Sequence, residues 1–243
     1  MWHKPALLRT VADVLLALAL TGVVAGVVVH VIRLPAFAIR EVRVMSPLRH
    51  VTPEQIDQVV KRSLQGTFFT LRLDPIRGAF EQLPWVREVQ LRRRWPARIE
   101  VSLAEHEPLA RWSDKALVNR QGEVFEAAFD GDLPLFSGPA GAAKEMTIQF
   151  DLFRRRLAVI GKRPVAVAVS ARRAWQIRLD DGLLLDIGRE RIEERLERFV
   201  LLYPRTVARV QRPDRVDLRY ANGLAVHIPG IPAAGQGRRE KGA

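Results

Sequence analysis

The sequence contains no cysteine in its 243 residues and has little histidine. The lack of cysteine excludes disulfide bonds, thiolate metal sites and a cysteine nucleophile. The five histidines are scattered along the chain: His3, His30, His50, His106 and His227. No two of them have the spacing of a metal-ligand pair, and no phosphate-binding loop or nucleophile–base pattern is present. The sequence therefore predicts a protein that is not an enzyme and needs no cofactor.

One short segment, Glu105-His106-Glu107, has the composition of a carboxylate–histidine cluster. On a strand, however, alternate side chains point to opposite faces. Glu105 and Glu107 would then share one face while His106 points away. The three side chains are therefore not expected to converge on one site.

The chain is strongly basic, with 39 Lys and Arg against 27 Asp and Glu and a net charge of +12. A nucleic acid, an anionic membrane surface and an acidic protein are all compatible with that charge. No helix-turn-helix, zinc-finger or aromatic–basic RNA-binding signature accompanies the arginines. The sequence thus disfavours nucleic acid as a partner, and charge alone leaves the other two alternatives open.

Residues 14–32 contain no formally charged side chain and consist mainly of Val, Leu and Ala. As a helix they would span roughly 28 Å, close to the thickness of a bilayer core. A cleaved signal peptide is the alternative, but its apolar region is usually shorter. We therefore expect a single transmembrane helix. Lys4 and Arg9 favour a cytoplasmic tail over residues 1–13, although Arg33, Arg40 and Arg43 weaken the asymmetry.

Residues 37–106 have the pattern of a small α+β module. Residues 39–45 form a short apolar strand, after which Thr52, Pro53 and Gln55 predict a helix start with a capping box. Asp74-Pro75 repeats that start signal for a second helix. Two strands with alternating apolar residues follow: Val89 and Leu91, then Ile99, Val101 and Leu103. The order βααββ predicts two helices on one face of a three-stranded sheet.

Residues 109–228 predict a β-rich domain with flanking helices at about 142–160 and 190–203. Val165, Val167 and Val169 alternate, and Asp181-Gly182 is a hairpin signal between two further strands. The last predicted hairpin has a turn at Asn222-Gly223. Its first strand carries Val216, Leu218 and Tyr220 on one face, and its second strand carries Leu224, Val226 and Ile228. Residues 229–243 have little to bury and are expected to be disordered.

Seven motifs stand out along the chain: LPWVREV at 83–89, RWPARI at 94–99, EHEPLARW at 105–112, LVNRQGEVF at 117–125, LPLFSGP at 133–139, ARRAWQI at 171–177 and VDLRYANG at 216–223. They resemble motifs of the FtsQ/DivIB family of bacterial cell division proteins, and the start of the first module is similar to a POTRA domain. No single motif is decisive, but their order and spacing cover nearly the whole chain.

This resemblance implies a fold and a function. It implies a type II single-pass protein of the inner membrane, with a POTRA domain and a β domain in the periplasm at the division septum. The expected role is an essential scaffold that links early and late division proteins. The β domain would recruit the small membrane proteins FtsB and FtsL and so help to control septal peptidoglycan synthesis. Other division proteins would bind through the POTRA domain and the membrane helix.

The expected partner site is the C-terminal hairpin, since a terminal strand can offer a free sheet edge. The resemblance points to Arg172, Tyr220, Asn222, Gly223 and Ile228 as partner-binding residues. Each has a simpler explanation: Arg172 is a solvated arginine, Tyr220 is a core residue, Asn222-Gly223 is an ordinary turn, and Ile228 lies at the end of a sheet. For the whole protein, a POTRA protein of outer-membrane assembly or secretion is the alternative. That alternative predicts tandem POTRA units or a transmembrane barrel, and the sequence has neither.

Overall fold

The computed structural model describes residues 5–220 and 223–229, and side chains from residue 9 onward. The chain divides into two compact units, Met1–Glu105 and His106–Ala243. Each unit has its own buried core. The prediction of an α+β protein with an N-terminal apolar helix and a β-rich second part is confirmed.

The first unit begins with helix α1, Pro5–Ile32. Its segment Arg9–Ile32 is long and apolar enough to cross a membrane, and none of its most apolar stretch is buried against the rest of the chain. The predicted apolar span, residues 14–32, is the C-terminal part of this helix. Because these apolar side chains are not buried by the rest of the chain, they require another apolar environment, and a bilayer provides one.

The order βααββ predicted for the first module is confirmed. Its elements are β1 (Glu41–Val44), α2 (Pro53–Ser63), α3 (Leu73–Glu81), β2 (Val86–Arg94) and β3 (Arg98–Glu105). The strands form a sheet in the order β1-β3-β2, with β1 parallel and β2 antiparallel to β3. Ile76, Phe80, Ile99 and Val101 are among the most buried side chains of this core.

The start of α2 follows from its sequence. Thr52 Oγ1 accepts a hydrogen bond from the Gln55 amide, and the Gln55 side chain accepts one from the Thr52 amide, so the predicted capping box is present. The second start signal was placed wrongly. Helix α3 begins at Leu73, one residue before Asp74, and the residue preceding it makes no side-chain cap. Asp74 instead lies in the first turn, where a negative charge suits the helix dipole.

Glu105 ties the segment before α2 to strand β3. Its carboxylate accepts hydrogen bonds from the backbone amides of Arg49, His50 and Val51, at 2.8–3.0 Å for the closest oxygen of each. Burial raises the pKa of Glu105, but the three amide donors outweigh burial, and the pKa lies below its ordinary value. One member of the carboxylate–histidine cluster thus has a structural role.

The second unit is a nine-stranded sheet with two helices. Its strands are β4 (Pro108–Trp112), β5 (Ala116–Asn119), β6 (Val124–Phe125), β7 (Leu135–Ser137), β8 (Pro164–Val169), β9 (Trp175–Leu179), β10 (Leu184–Gly188), β11 (Arg215–Asp217) and β12 (Ala225–His227). The helices are α4 (Ala143–Ala158) and α5 (Ile192–Leu202). The sheet order is β12-β11-β10-β9-β8-β7-β4-β5-β6, so β12 and β6 form its two edges.

The core of the second unit lies between the sheet and the two helices. Trp175, Ile177 and Leu179 point into it from β9, and Phe153 of α4 contacts the Trp175 ring edge-on at 5.7 Å. The predicted hairpin between β9 and β10 is confirmed, with Gly182 at φ 88. The predicted alternation on β8 fails at Val165, which is exposed because the register shifts between Pro164 and Ala166.

His106, the other notable residue of the cluster, belongs to the second unit. Its ring stacks on Phe125 with centroids 4.1 Å apart, and its Nδ1 lies 2.8 Å from the Asn119 side-chain amide. Asn119 is fully buried and also binds the Glu123 carboxylate at 2.6 Å. This network satisfies buried polar groups at the β5–β6 corner. Within residues 5–220 and 223–229, no three metal-binding side chains converge.

Candidate partner-binding site

Among the residues that the structure describes, strand β12 is the outermost strand of the nine-stranded sheet and pairs with β11 alone. The pairing is antiparallel: Arg215 faces His227, Val216 faces Val226 and Asp217 faces Ala225. β11 in turn pairs parallel with β10. Within residues 5–220 and 223–229, β12 is therefore both the last strand and an edge strand, as the sequence predicts.

Backbone hydrogen bonds establish which groups of β12 face outward. The Leu184 amide donates to Asp214 O just before β11, and the Leu218 amide just after β11 donates to Asp186 O, while the Asp214 amide donates to His227 O of β12. The Asp214 carbonyl and the Leu218 amide thus face β10, and so does the backbone of Val216 between them. Because backbone groups alternate in direction along a strand, Arg215 and Asp217 bond to β12. The amide and carbonyl of Val226 then point to the free edge. That edge offers a donor and an acceptor to an added strand.

The Val226 side chain packs on the core while the neighbouring side chains do not. Ala225 and His227 are exposed. His227 Nδ1 lies 2.7 Å from Asp214 Oδ1, and this hydrogen bond holds the pKa of Asp214 below its ordinary value. The edge is thus anchored by one apolar residue and by one polar contact across the hairpin.

The hairpin itself differs from the predicted one. The paired strands end at Asp217 and begin again at Ala225, so the connection is longer than a two-residue turn. Asn222 lies outside the described residues, so a tight turn at Asn222-Gly223 stays a prediction.

Tyr220 is also placed differently from the alternating pattern. Val216 and Leu218 are fully buried, as predicted, but Tyr220 is 59% exposed. The strand has ended by then, and the Tyr220 carbonyl accepts a hydrogen bond from Arg198 of α5 at 3.0 Å. Its ring is consequently available at the surface beside the sheet edge. Ile228 follows β12 directly and is half-buried.

Arg172 lies in the turn between β8 and β9 and is exposed. Its neighbour Arg173, at φ 61, forms an ion pair with Glu145 of α4. For Arg172, the described part of the chain provides no hydrogen bond or ion pair. The two arginines, indistinguishable by sequence pattern, thus differ: Arg173 is engaged within the domain, and Arg172 presents its charge to solvent.

A charged cluster lies between the β8–β9 turn and the C-terminal hairpin, and it was not predicted from the sequence. Asp186 of β10 is nearly buried and accepts hydrogen bonds from Gln176, at 2.7 Å, and from Arg215. Asp217 binds Arg219, which lowers the pKa of Asp217 despite partial burial. Alternating charged and apolar residues at 215–219 were a signal for it, but that signal does not distinguish a solvated face from a network.

A cleft of about 280 Å³ connects the turn that carries Arg172 with the C-terminal hairpin. Ser170 and Ala174 line it at the turn end, and Arg215 and Arg219 line it at the hairpin end. Two of the predicted regions, the β8–β9 turn and the hairpin, therefore border one continuous surface. Arg215 and Arg219 on this surface are each paired with an aspartate of the domain, whereas Arg172 in the adjoining turn has no partner among the described residues.

The chain is similar to known proteins over almost its full length. The family model described as "Cell division protein FtsQ/DivIB, C-terminal" matches residues 110–219, and the model described as "POTRA domain, FtsQ-type" matches residues 37–106. The Cell division protein FtsQ of Nitrosospira multiformis is 43% identical over 231 residues, which is 93% of this chain and 98% of that protein.

The chain belongs to the FtsQ/DivIB family. The protein of the same name from Burkholderia pseudomallei is 37% identical over 95% of this chain and 96% of its own length. The one from Coxiella burnetii is 31% identical over 90% of this chain and 91% of its own length. As an FtsQ/DivIB family member with an N-terminal apolar helix, the chain is a cell division protein and a single-pass membrane protein. The resemblance seen in the sequence motifs is confirmed.

Proposed function

We propose that this protein is a non-enzymatic scaffold of the division machinery that recruits FtsB and FtsL through the β12 edge. It would link early and late division proteins and so help to control septal peptidoglycan synthesis. The observation that supports this most directly is the free backbone edge at Val226, bordered by an exposed Tyr220. A strand from FtsB would extend the sheet there through main-chain hydrogen bonds.

Charge would add selectivity to this edge. Arg172 has no partner within the described residues, whereas Arg215 and Arg219 of the neighbouring cleft are paired with Asp186 and Asp217. A partner carboxylate near Arg172 would form a partly desolvated pair, which is stronger than a solvent-exposed one. In this proposal Tyr220, Asn222, Gly223 and Ile228 flank the added strand, although Asn222 lies outside the described residues.

The topology belongs to the same proposal. Residues 1–13 would lie in the cytoplasm and 14–32 in the inner membrane, with the POTRA domain (37–106) and the β domain (109–228) in the periplasm at the division septum. The POTRA domain and the membrane helix would contact other division proteins. The expected disordered tail, 229–243, lies outside the described residues except for Pro229.

Depletion of the protein in its host, followed by time-lapse microscopy and a fluorescent FtsB, tests this function. We expect long unseptated filaments with segregated nucleoids and loss of FtsB from mid-cell. Re-expression of the intact chain should restore both. Cells of normal length with outer-membrane defects would contradict the proposal and favour the POTRA assembly alternative, for which family membership gives no support.

A further inference from the structure

Four aromatic rings gather on one end of the POTRA domain, outside the partner-binding site. Phe37, Phe68, Phe69 and Trp95 form this aromatic cluster, with ring centroids 5.2–6.4 Å apart. Trp95 is 64% exposed and Phe69 is 45% exposed. A domain of this size has no folding reason to leave two such rings in water, and exposed aromatic patches mark interaction sites.

The aromatic cluster lies at the end of the membrane helix. Thr67, which directly precedes Phe68, donates its hydroxyl to the carbonyl of Ile32, the last residue of α1, at 2.6 Å. The Phe68 amide donates to Phe37 O at 2.8 Å, and Ala38 bridges to Thr67. Only residues 33–36 separate Ile32 from Phe37 of the cluster, and the five Cα–Cα steps between these two residues reach at most about 17 Å. The cluster is therefore held close to the level at which α1 leaves the bilayer.

Positive charge surrounds the aromatic cluster. Arg40 and Arg98 line an open cleft of about 630 Å³ together with Phe37 and Trp95. Arg98 is paired with Glu41 at 2.8 Å. Arg33 and Arg40 are exposed, and neither is paired with any residue that the structure describes. Rings combined with unpaired arginines match the composition of a membrane–water interface, where aromatic rings sit at headgroup level and cations meet lipid phosphates.

We propose that the aromatic cluster is a membrane-docking face. Trp95 and Phe69 would insert into the headgroup region of the leaflet from which α1 emerges, and Arg33 and Arg40 would bind phospholipid phosphates. The bilayer is favoured over a protein partner because the cluster is continuous with a membrane-spanning helix and hydrogen bonded to its last residue. The POTRA domain is then seated on the bilayer surface, with the orientation of this end fixed by lipid contacts.

The absence of cysteine allows a direct test with single spin labels on the full chain in vesicles of phosphatidylethanolamine and phosphatidylglycerol. The test label is at Phe69→Cys. Val23→Cys in α1 is the control for insertion, and Val159→Cys, an exposed apolar position in the β domain, is the aqueous control. We expect the Phe69 label to collide at least threefold less often with a water-soluble nickel complex than the Val159 label does.

A second substitution separates docking from mere proximity to α1. Trp95→Ser in the Phe69→Cys background should raise nickel collisions towards the Val159 value, whereas Trp95→Phe should leave them unchanged. Because the label replaces one ring, the native cluster is measured separately with brominated lipids. The brominated lipids should quench part of the tryptophan fluorescence of the unlabelled chain. That quenched part should be missing in Trp95→Phe.

If the Phe69 label is as accessible to nickel as the Val159 label while the Val23 label is shielded, the docking proposal is wrong. Absence of any quenched component attributable to Trp95 would overturn it equally. The vesicles contain no division protein, so either result leaves the proposed recruitment of FtsB and FtsL untouched.

Discussion

At the scale of single residues, several ionised groups of this protein stabilise the fold. Glu105 accepts hydrogen bonds from three amides at the entrance to α2, and Asp186 binds Gln176 and Arg215. Arg172 differs from its neighbour: Arg173 is paired with Glu145, but no residue in the described chain binds the Arg172 guanidinium. Sequence pattern alone could not separate these cases, since burial and partners depend on residues far along the chain.

Replacing Glu105 should loosen the POTRA domain. Glu105→Ala leaves three backbone amides without their acceptor, a loss of about 1–3 kcal/mol, and should speed hydrogen exchange of residues 49–51 in the full chain by at least about fivefold. Glu81→Ala, an exposed glutamate of α3, is the matched control and should change little. Unaltered exchange in Glu105→Ala would show that the carboxylate does not hold this segment.

The same carboxylate predicts a pH dependence. Its pKa is lowered in the folded state, so its stabilisation is complete above the unfolded value of about 4.3 and is lost as the pH falls through the folded pKa. The difference in exchange between wild type and Glu105→Gln should therefore shrink below about pH 4.3. A difference that grows on acidification would have the wrong sign and would reject this assignment.

Reversing the charge at Arg172 should weaken partner binding without unfolding the β domain. Losing a partly desolvated charge pair costs more than about 1.4 kcal/mol, or about tenfold in Kd. Arg172→Glu should show this loss in titrations with the FtsB–FtsL complex. Arg155→Glu, an exposed arginine on α4, carries the same charge change and should bind normally. Equal affinities for the two variants would remove Arg172 from the site.

At the scale of elements, sequence signals predicted the features that depend only on neighbouring residues, such as a helix start or a tight hairpin. The capping box at Thr52 and Gln55 and the β9–β10 hairpin at Gly182 were both predicted from sequence and are present. The failures occur where a strand stops or shifts: Val165 beside a register irregularity, and Tyr220 beyond the end of β11. Alternation in sequence cannot show where pairing ends, because the neighbouring strand decides it.

Strand β12 gives the element-scale prediction. Val226→Pro removes the outward amide of the edge while leaving the residues that pair with β11, and proline is tolerated on edge strands. We expect at least a tenfold rise in Kd for FtsB–FtsL. Val226→Ala shortens the side chain but keeps the amide, so it should change Kd less than about threefold. If both variants bind equally, recruitment does not use main-chain hydrogen bonds at this edge.

At the scale of the whole molecule, the two units have separate cores, and each matches its own family model. This division was predictable because each segment carries a complete pattern of apolar faces. The candidate partner site was predictable only in outline. The order of the strands in the sheet places β12 at an edge, and no local sequence pattern predicts that order.

The proposed topology makes a prediction for the intact protein. Because the chain has no cysteine, a single introduced thiol reports its compartment. A membrane-impermeant maleimide added to spheroplasts should label Val159→Cys but not Lys4→Cys, and both should react after the membrane is permeabilised. The reverse pattern would place the β domain in the cytoplasm and contradict the type II orientation.

The two edges of the nine-stranded sheet are unequal. The edge opposite β12 is β6, which has only the two residues Val124 and Phe125. Two residues offer too short a ladder to hold an added strand, since strands in proteins usually pair over three residues or more. Among the described strands, β12 is therefore the better edge for extending the sheet. Under the proposed recruitment, each chain would capture one partner strand, and the number of recruited partners would scale with the number of copies of this protein.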